Sequence, residues 1–222
     1  MAQLSGLFDS FDNLDQIDIN SLLIWLKGVP IVSVQLENYL ANKILYPTTV
    51  PITAIDMKID LAILREALRL NGPKIGNSEE SFLGDNPFLN TTLRKIIIPE
   101  KFLSFVPDLI NLTWAFVDGL LLNRKKKDLY EDLWTVVLSG ESDEIVGSVL
   151  LPEFSSLGEN LNIVLHSENY QIKAGSLTRI NCSKPRCEIA YTITSGNILG
   201  KNAGAIELYG GKLGLMIDGR MS

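Results

Sequence analysis

Apolar residues recur along this chain first with a helical period and then with a period of two. "INSLLIWLKG" predicts a short helix, with Asn20 and Ser21 as candidate caps and Gly28 as a stop. "SVQLENYLANKILYP" predicts a second, closed by Pro47. In "DLAILREALRLNGP" Leu61, Leu64 and Leu68 share one face, Asp60 is the candidate cap, and Gly72 and Pro73 end the run. "PDLINLTWAFVDGLLLN" has Pro107 in its first turn and sets Leu109, Leu112, Phe116 and Leu120 on one face. Asn71 to Asn90, rich in Gly, Asn, Ser and Pro, reads as a long loop and as a candidate flexible or partner-binding segment.

After "NRKKKD" the period changes. Ile189, Tyr191 and Ile193 alternate with Ala190, Thr192 and Thr194, and Tyr170, Ile172 and Ala174 with Gln171 and Lys173. "DLWTVVLSG", "EIVGSVLLP", "LNIVLHS", "SLTRINC" and "AIELYGG" also read as short strands between turn residues. The expected class is α+β: a mainly helical part, 1–128, followed by a β-rich part, 129–222, built as an antiparallel sandwich or barrel. Leu22, Leu23, Ile24, Trp25, Leu26, Trp114 and Phe116 are the expected helical core.

Composition narrows the function classes. With 46% hydrophobic and 21% charged residues the chain is globular rather than disordered, and its net charge of −6 argues against nucleic-acid binding. Residues 1–123 hold 9 Lys or Arg against 14 Asp or Glu, so the run Arg124, Lys125, Lys126 and Lys127 is a local exception. It reads as a solvated hinge or as a contact for an acidic partner surface or a membrane face. The N-terminal stretch has four aspartates, no basic residue and no long apolar run, and the most apolar segment, Phe102–Leu122, carries Pro107, Asp108, Asn111 and Asp118. Neither is a secretory signal or a membrane span, and the expected location is cytoplasmic.

Several motifs with chemical promise fail on their spacing. "SGNILGKN" is one residue short of a phosphate-binding loop, has Asn202 where a hydroxyl is needed, and is followed by a strand pattern rather than a helix. In "YGGKLGLMIDGR", Leu213, Leu215 and Ile217 alternate with Gly214, Met216 and Asp218, as in a strand. Gly210-Gly211 then reads as a hairpin turn and Gly214 as a bulge or close backbone approach. One histidine and two cysteines are too few for a zinc site. Cys182 and Cys187 read as reduced thiols at a turn, able to close if oxidised. His166, with Ser167 or Cys187, is a weak basis for nucleophilic catalysis. "DSFDNLDQID" lacks the spacing of a calcium loop. No catalytic residue, cofactor or metal is therefore expected.

The order of the β segments resembles the C-terminal β module of the glutamate-mutase accessory (MutL-like) family, relatives of sugar-kinase/actin-type ATPases. Gly175, Ser176, Leu177 and Ile180 match one motif of that family. Gly210, Gly211, Gly214, Leu215, Ile217, Asp218 and Arg220 match another. The likeness covers about residues 145–220, with a weaker extension to "SLLIWLKGVPIVSVQLENYLANKILYPTTVP". "NC" replaces the family's proline region after Ile180, and no D-x-G-[GST]-x-[ST] phosphate loop is present, so the resemblance implies an accessory module, or a piece of a larger protein, without ATPase chemistry. The expected function is a non-enzymatic protein-interaction or assembly module with a protein partner or homo-oligomeric state. The alternative is a regulatory small-molecule-binding domain with its ligand between the two parts.

Overall fold

The computed structural model describes residues 11, 14–71, 83–85, 94–120 and 132–220, with the backbone alone at 83–85 and 94. The class is α+β. The chain divides into two compact units, Met1–Lys74 with Pro99–Arg124 and Ile75–Ile98 with Lys125–Ser222.

The helical unit holds α1 (Ile19–Trp25), α2 (Ser33–Leu45), α3 (Ala54–Asn71) and α4 (Leu109–Leu120). Asp18, not Asn20 or Ser21, caps α1, its carboxylate accepting the Asn20 N–H at 3.2 Å. Helix α3 starts six residues before Asp60. Thr53 and Asp56 cap it reciprocally: the Asp56 N–H donates to Thr53 Oγ1 at 3.1 Å and the Thr53 N–H to Asp56 Oδ2 at 2.9 Å. Asp108 caps α4 through the N–H groups of Ile110 and Asn111. Leu22, Leu26 and Phe116 are buried as expected, whereas Ile24 is exposed and Leu23, Trp25 and Trp114 are half-buried.

Helix α3 is buried nearly all round, from Ile59 through Leu64 and from Glu66 through Leu68. Its polar residues are met by the neighbouring helices. Glu66 accepts from Trp25 Nε1 of α1 at 2.8 Å and from the Arg69 guanidinium at 2.6 Å. Arg65 donates to Asp118 of α4 at 2.6 Å and stacks over Trp25 with its charge 5.3 Å from the ring centre.

The second unit holds β1 (Leu83–Asp85), β2 (Arg94–Pro99), β3 (Leu133–Ser139), β4 (Glu144–Leu150), β5 (Glu153–Phe154), β6 (Asn160–Leu165), β7 (Glu168–Lys173), β8 (Leu177–Ile180), β9 (Arg186–Ile193), β10 (Gly196–Asn197), β11 (Ala203–Tyr209) and β12 (Gly214–Asp218). Strand β1 lies inside the stretch read as a loop, and the rest of 72–93 lies outside the described residues. One sheet runs β1-β2-β3-β4-β12-β8, another runs β11-β9-β6-β7, and β10 pairs with β5. Among the described residues the sheets do not close into a barrel. Both larger sheets feed one apolar cluster that includes Leu150, Ile163, Ile189, Tyr191, Leu215 and Ile217.

The expected antiparallel arrangement fails at the β12–β4 ladder, which runs parallel. Gly210-Gly211 is accordingly no hairpin turn but the passage from one sheet to the other. Parallel pairing brings Gly214 opposite Gly147, and a Cβ on Gly147 would overlap the Gly214 carbonyl oxygen. Gly214 also sits at φ +75°, where a side chain is strained. Ser148 of β4 ties the sheets together, its hydroxyl donating to the Tyr209 carbonyl at 2.8 Å and accepting the Tyr209 N–H at 3.1 Å. The turn between Cys182 and Cys187 sets the two sulfurs against each other as a disulfide pair, with the Cα atoms 6.9 Å apart, so the oxidised form foreseen for this turn is the one the fold displays.

A carboxylate fixes the segment before β6. Glu159 accepts from the hydroxyls of Ser195 (2.6 Å) and Ser156 (3.1 Å) and from the Ser155 N–H (3.1 Å). The Ser195 bond above all holds its carboxyl below the ordinary glutamate range, outweighing its desolvation. A pKa lowered on folding adds stability that is full above the unfolded value and is lost as pH falls through the folded one. Urea midpoints measured from neutral to acid pH should therefore fall less steeply in Glu159→Gln than in the wild type. For the parallel ladder, Gly147→Ala should lose about 3 kcal/mol or more in urea denaturation, since backbone must move. Gly158→Ala, with nothing within 4 Å of the added Cβ, should be close to neutral.

Candidate functional site

The α2–α3 corner is built on a buried charge. Leu36, Leu40 and Lys43 occupy one stripe of α2 and all three are buried. Lys43 Nζ donates to Asp60 Oδ2 of α3 at 2.8 Å and to the Thr49 carbonyl at 2.7 Å. The Tyr39 hydroxyl donates to the other Asp60 oxygen at 2.9 Å. Burial pushes the Asp60 carboxyl up, against the bonds from Lys43 and Tyr39 that favour its ionised form. Burial, and after it the Asp60 charge, raises the Tyr39 hydroxyl, which stays a donor. Asp56 is held below the ordinary aspartate range: partial burial pushes it up, but bonds from Thr53 and the Ile52 N–H outweigh that.

Lys43 thus ties both helices to the connecting segment 46–53 from beneath. The outer surface of that corner is apolar. Ile44, Leu45, Tyr46, Val50, Ile52 and Ile55 are exposed, Leu45 by 69%, Tyr46 by 61% and Ile52 by 93%. Between Asn38 and Ile55 the chain has one charged residue, Lys43, and it is buried. Scattered exposed apolar residues need no explanation, but a run of this kind without surface charge is unusual in a soluble face.

The residues singled out in the sequence fall elsewhere. His166 and Ser167 form the exposed turn between β6 and β7, both at positive φ (51° and 70°), and among the described residues no side chain bonds the imidazole. "SGNILGKN" contains a second tight turn, Leu199 and Gly200 at φ 52° and 75° between the paired Ile198 and Lys201, and leads into β11. Among the described residues no group of His, Cys, Asp and Glu is placed to hold a metal. Among them, too, no helix is long and apolar enough to cross a membrane. Arg124, Lys125, Lys126 and Lys127 lie outside the described residues.

The two resemblance motifs meet as neighbouring strands. Ile180 pairs with Leu215 and Leu177 with Asp218 in the β8–β12 ladder. The Gly175 N–H bonds the Gly219 carbonyl at 2.7 Å, and the Gly219 N–H bonds the Ser176 carbonyl at 2.9 Å. Asp218 takes the Arg220 guanidinium through both carboxylate oxygens, at 2.9 and 2.7 Å. These residues build a sheet edge and its closing loop.

No family model matches this chain, and neither a curated protein nor a solved structure does. The function therefore has to be read from the geometry.

The corner was not read from the sequence. The reciprocal Thr53/Asp56 cap was legible as T-x-x-D before an apolar run. Lys43 carried a weaker signal, a lysine in register with Leu36 and Leu40 on the apolar stripe. Removing it alone tests the brace. Lys43→Met should cost about 3–5 kcal/mol, because Asp60 is left buried without its counter-ion, and Lys43→Met/Asp60→Leu should recover much of the loss. Urea denaturation of both variants measures the difference, and a double variant as unstable as the single one would show that the pair is not coupled.

Proposed function

We propose that this chain is a non-enzymatic protein-interaction or assembly module and that the α2–α3 corner is the face it offers a partner. The observation that carries this is the exposed apolar set Ile44, Leu45, Tyr46, Val50, Ile52 and Ile55, uninterrupted by surface charge. Interface centres have this composition: aromatic and aliphatic anchors, depleted in charge, with polar residues at the rim. Exposed Glu37 and Lys58 and the half-buried Asp56 supply such a rim. In this reading the two sheets of the second unit form a sandwich that serves as scaffold. An accessory role, as the glutamate-mutase accessory resemblance implies, fits it, and the basic run Arg124–Lys127 is a further contact for an acidic partner surface.

Ile52→Asp tests the reading, because its side chain is in solvent and contributes little to folding. The wild-type chain should retain a stoichiometric partner from its native lysate. The variant should lose at least about tenfold in affinity for it, some 1.4 kcal/mol, with an unchanged thermal midpoint. Equal binding by both proteins would remove the corner from the interface.

A further inference from the structure

The two edges of the four-stranded sheet are built differently. At the β7 edge the Lys173 carbonyl is already taken by the Ser176 N–H (3.2 Å) and hydroxyl (2.6 Å), and Glu168 and Lys173 bring charge to both ends of the strand. Charge and capped carbonyls are how natural sheets discourage further pairing. The β11 edge has no such protection over "AGAI", Ala203 to Ile206.

The hydrogen-bond phase of β11 can be read from its ends. The Ile193 N–H donates to the Asn202 carbonyl at 2.8 Å, so in the antiparallel β9–β11 ladder Gly204, Ile206 and Leu208 bond inward to Tyr191, Ile189 and Cys187. Ala203, Ala205, Glu207 and Tyr209 then direct their N–H and C=O groups outward. The outer groups of Tyr209 bear this out, since both are met by the Ser148 hydroxyl. Among the described residues those of Ala203, Ala205 and Glu207 meet no hydrogen-bond partner, and β11 ends its sheet.

We propose that β11 pairs antiparallel with β11 of a second copy of this chain, about a two-fold axis at Ala205. The sequence is self-complementary in that register. Ala205 faces its own copy, two methyl groups without a clash. Ala203 faces Glu207, so the two carboxylates stay apart, and each Glu207 is already near Arg186, 3.4 Å away. Ile206 faces Gly204, the one position without a side chain, where the phenol end of Tyr191 lies beneath with its hydroxyl already bonded to the Ile198 carbonyl. The three outward residues of each strand exchange their N–H and C=O groups with the other copy, joining two four-stranded sheets into one. This pairing involves none of the α2–α3 corner and stands or falls apart from it.

Sedimentation equilibrium and amide hydrogen exchange on the full chain test it. With rising concentration the wild-type mass should approach twice 24.6 kDa, and the amides of Ala203, Ala205 and Glu207 should become protected in step. Ala205→Lys, at an exposed site, should remain at 24.6 kDa with an unchanged far-ultraviolet spectrum, because like charges would meet on the axis. Ile52→Asp should still dimerise. A wild type that stays monomeric at every concentration overturns the proposal. So does a dimer whose three amides exchange freely, a result that needs no variant, and so does a dimer lost in Ile52→Asp but kept in Ala205→Lys.

Discussion

A helix packed on nearly every side cannot keep its charges in water, and helix α3 carries Asp60, Arg65 and Glu66 within seven residues. An unpaired buried charge costs several kcal/mol, so each must find a partner on another element. Lys43 of α2 meets Asp60, Trp25 of α1 meets Glu66, and Asp118 of α4 meets Arg65. The apolar contacts would permit a range of helix rotations. These polar contacts select one, because each is satisfied only when its helix stands at a given height and angle. The place of the corner follows from them.

The second unit is constrained by backbone approach instead. Strand β12 can enter between β4 and β8 only where neither neighbour puts a side chain in its way, and Gly147 opposite Gly214 meets that need. Ser148, one residue on, uses its hydroxyl as a stand-in for a peptide group and holds Tyr209 of the other sheet. Adjacent residues of β4 therefore fix two different joints of the unit.

Much of this was legible in the sequence. The change of period located the four helices and eight of the twelve described strands, since periodicity reports which face of an element is buried; β1, β2 and the two-residue β5 and β10 gave no such signal. The glycine-rich "YGGKLGLMIDGR" forms the strand and the close approach at Gly214 that were read from it, but not the hairpin turn at Gly210-Gly211. What escaped was set by long-range partners. Asp60 looked like a cap because polar residues before an apolar run usually are, and nothing local announces Lys43 as its counter-ion. The parallel ladder was hidden because β11 and β12 are consecutive, which suggests a hairpin, while their pairing is decided by β4 and β9. Ile24 was assigned to the core by composition, but α1 has only seven residues and one buried side.

The bond from Lys43 to the Thr49 carbonyl has a thermodynamic side. A connecting segment of eight residues between helices would ordinarily sample many conformations, and a partner would have to select among them. Here the ammonium group grips the middle of the segment, and the Thr53–Asp56 cap grips its end. The apolar side chains above are presented on a backbone already ordered by folding. Association at this surface then forfeits little further conformational entropy, so a modest contact area can give useful affinity.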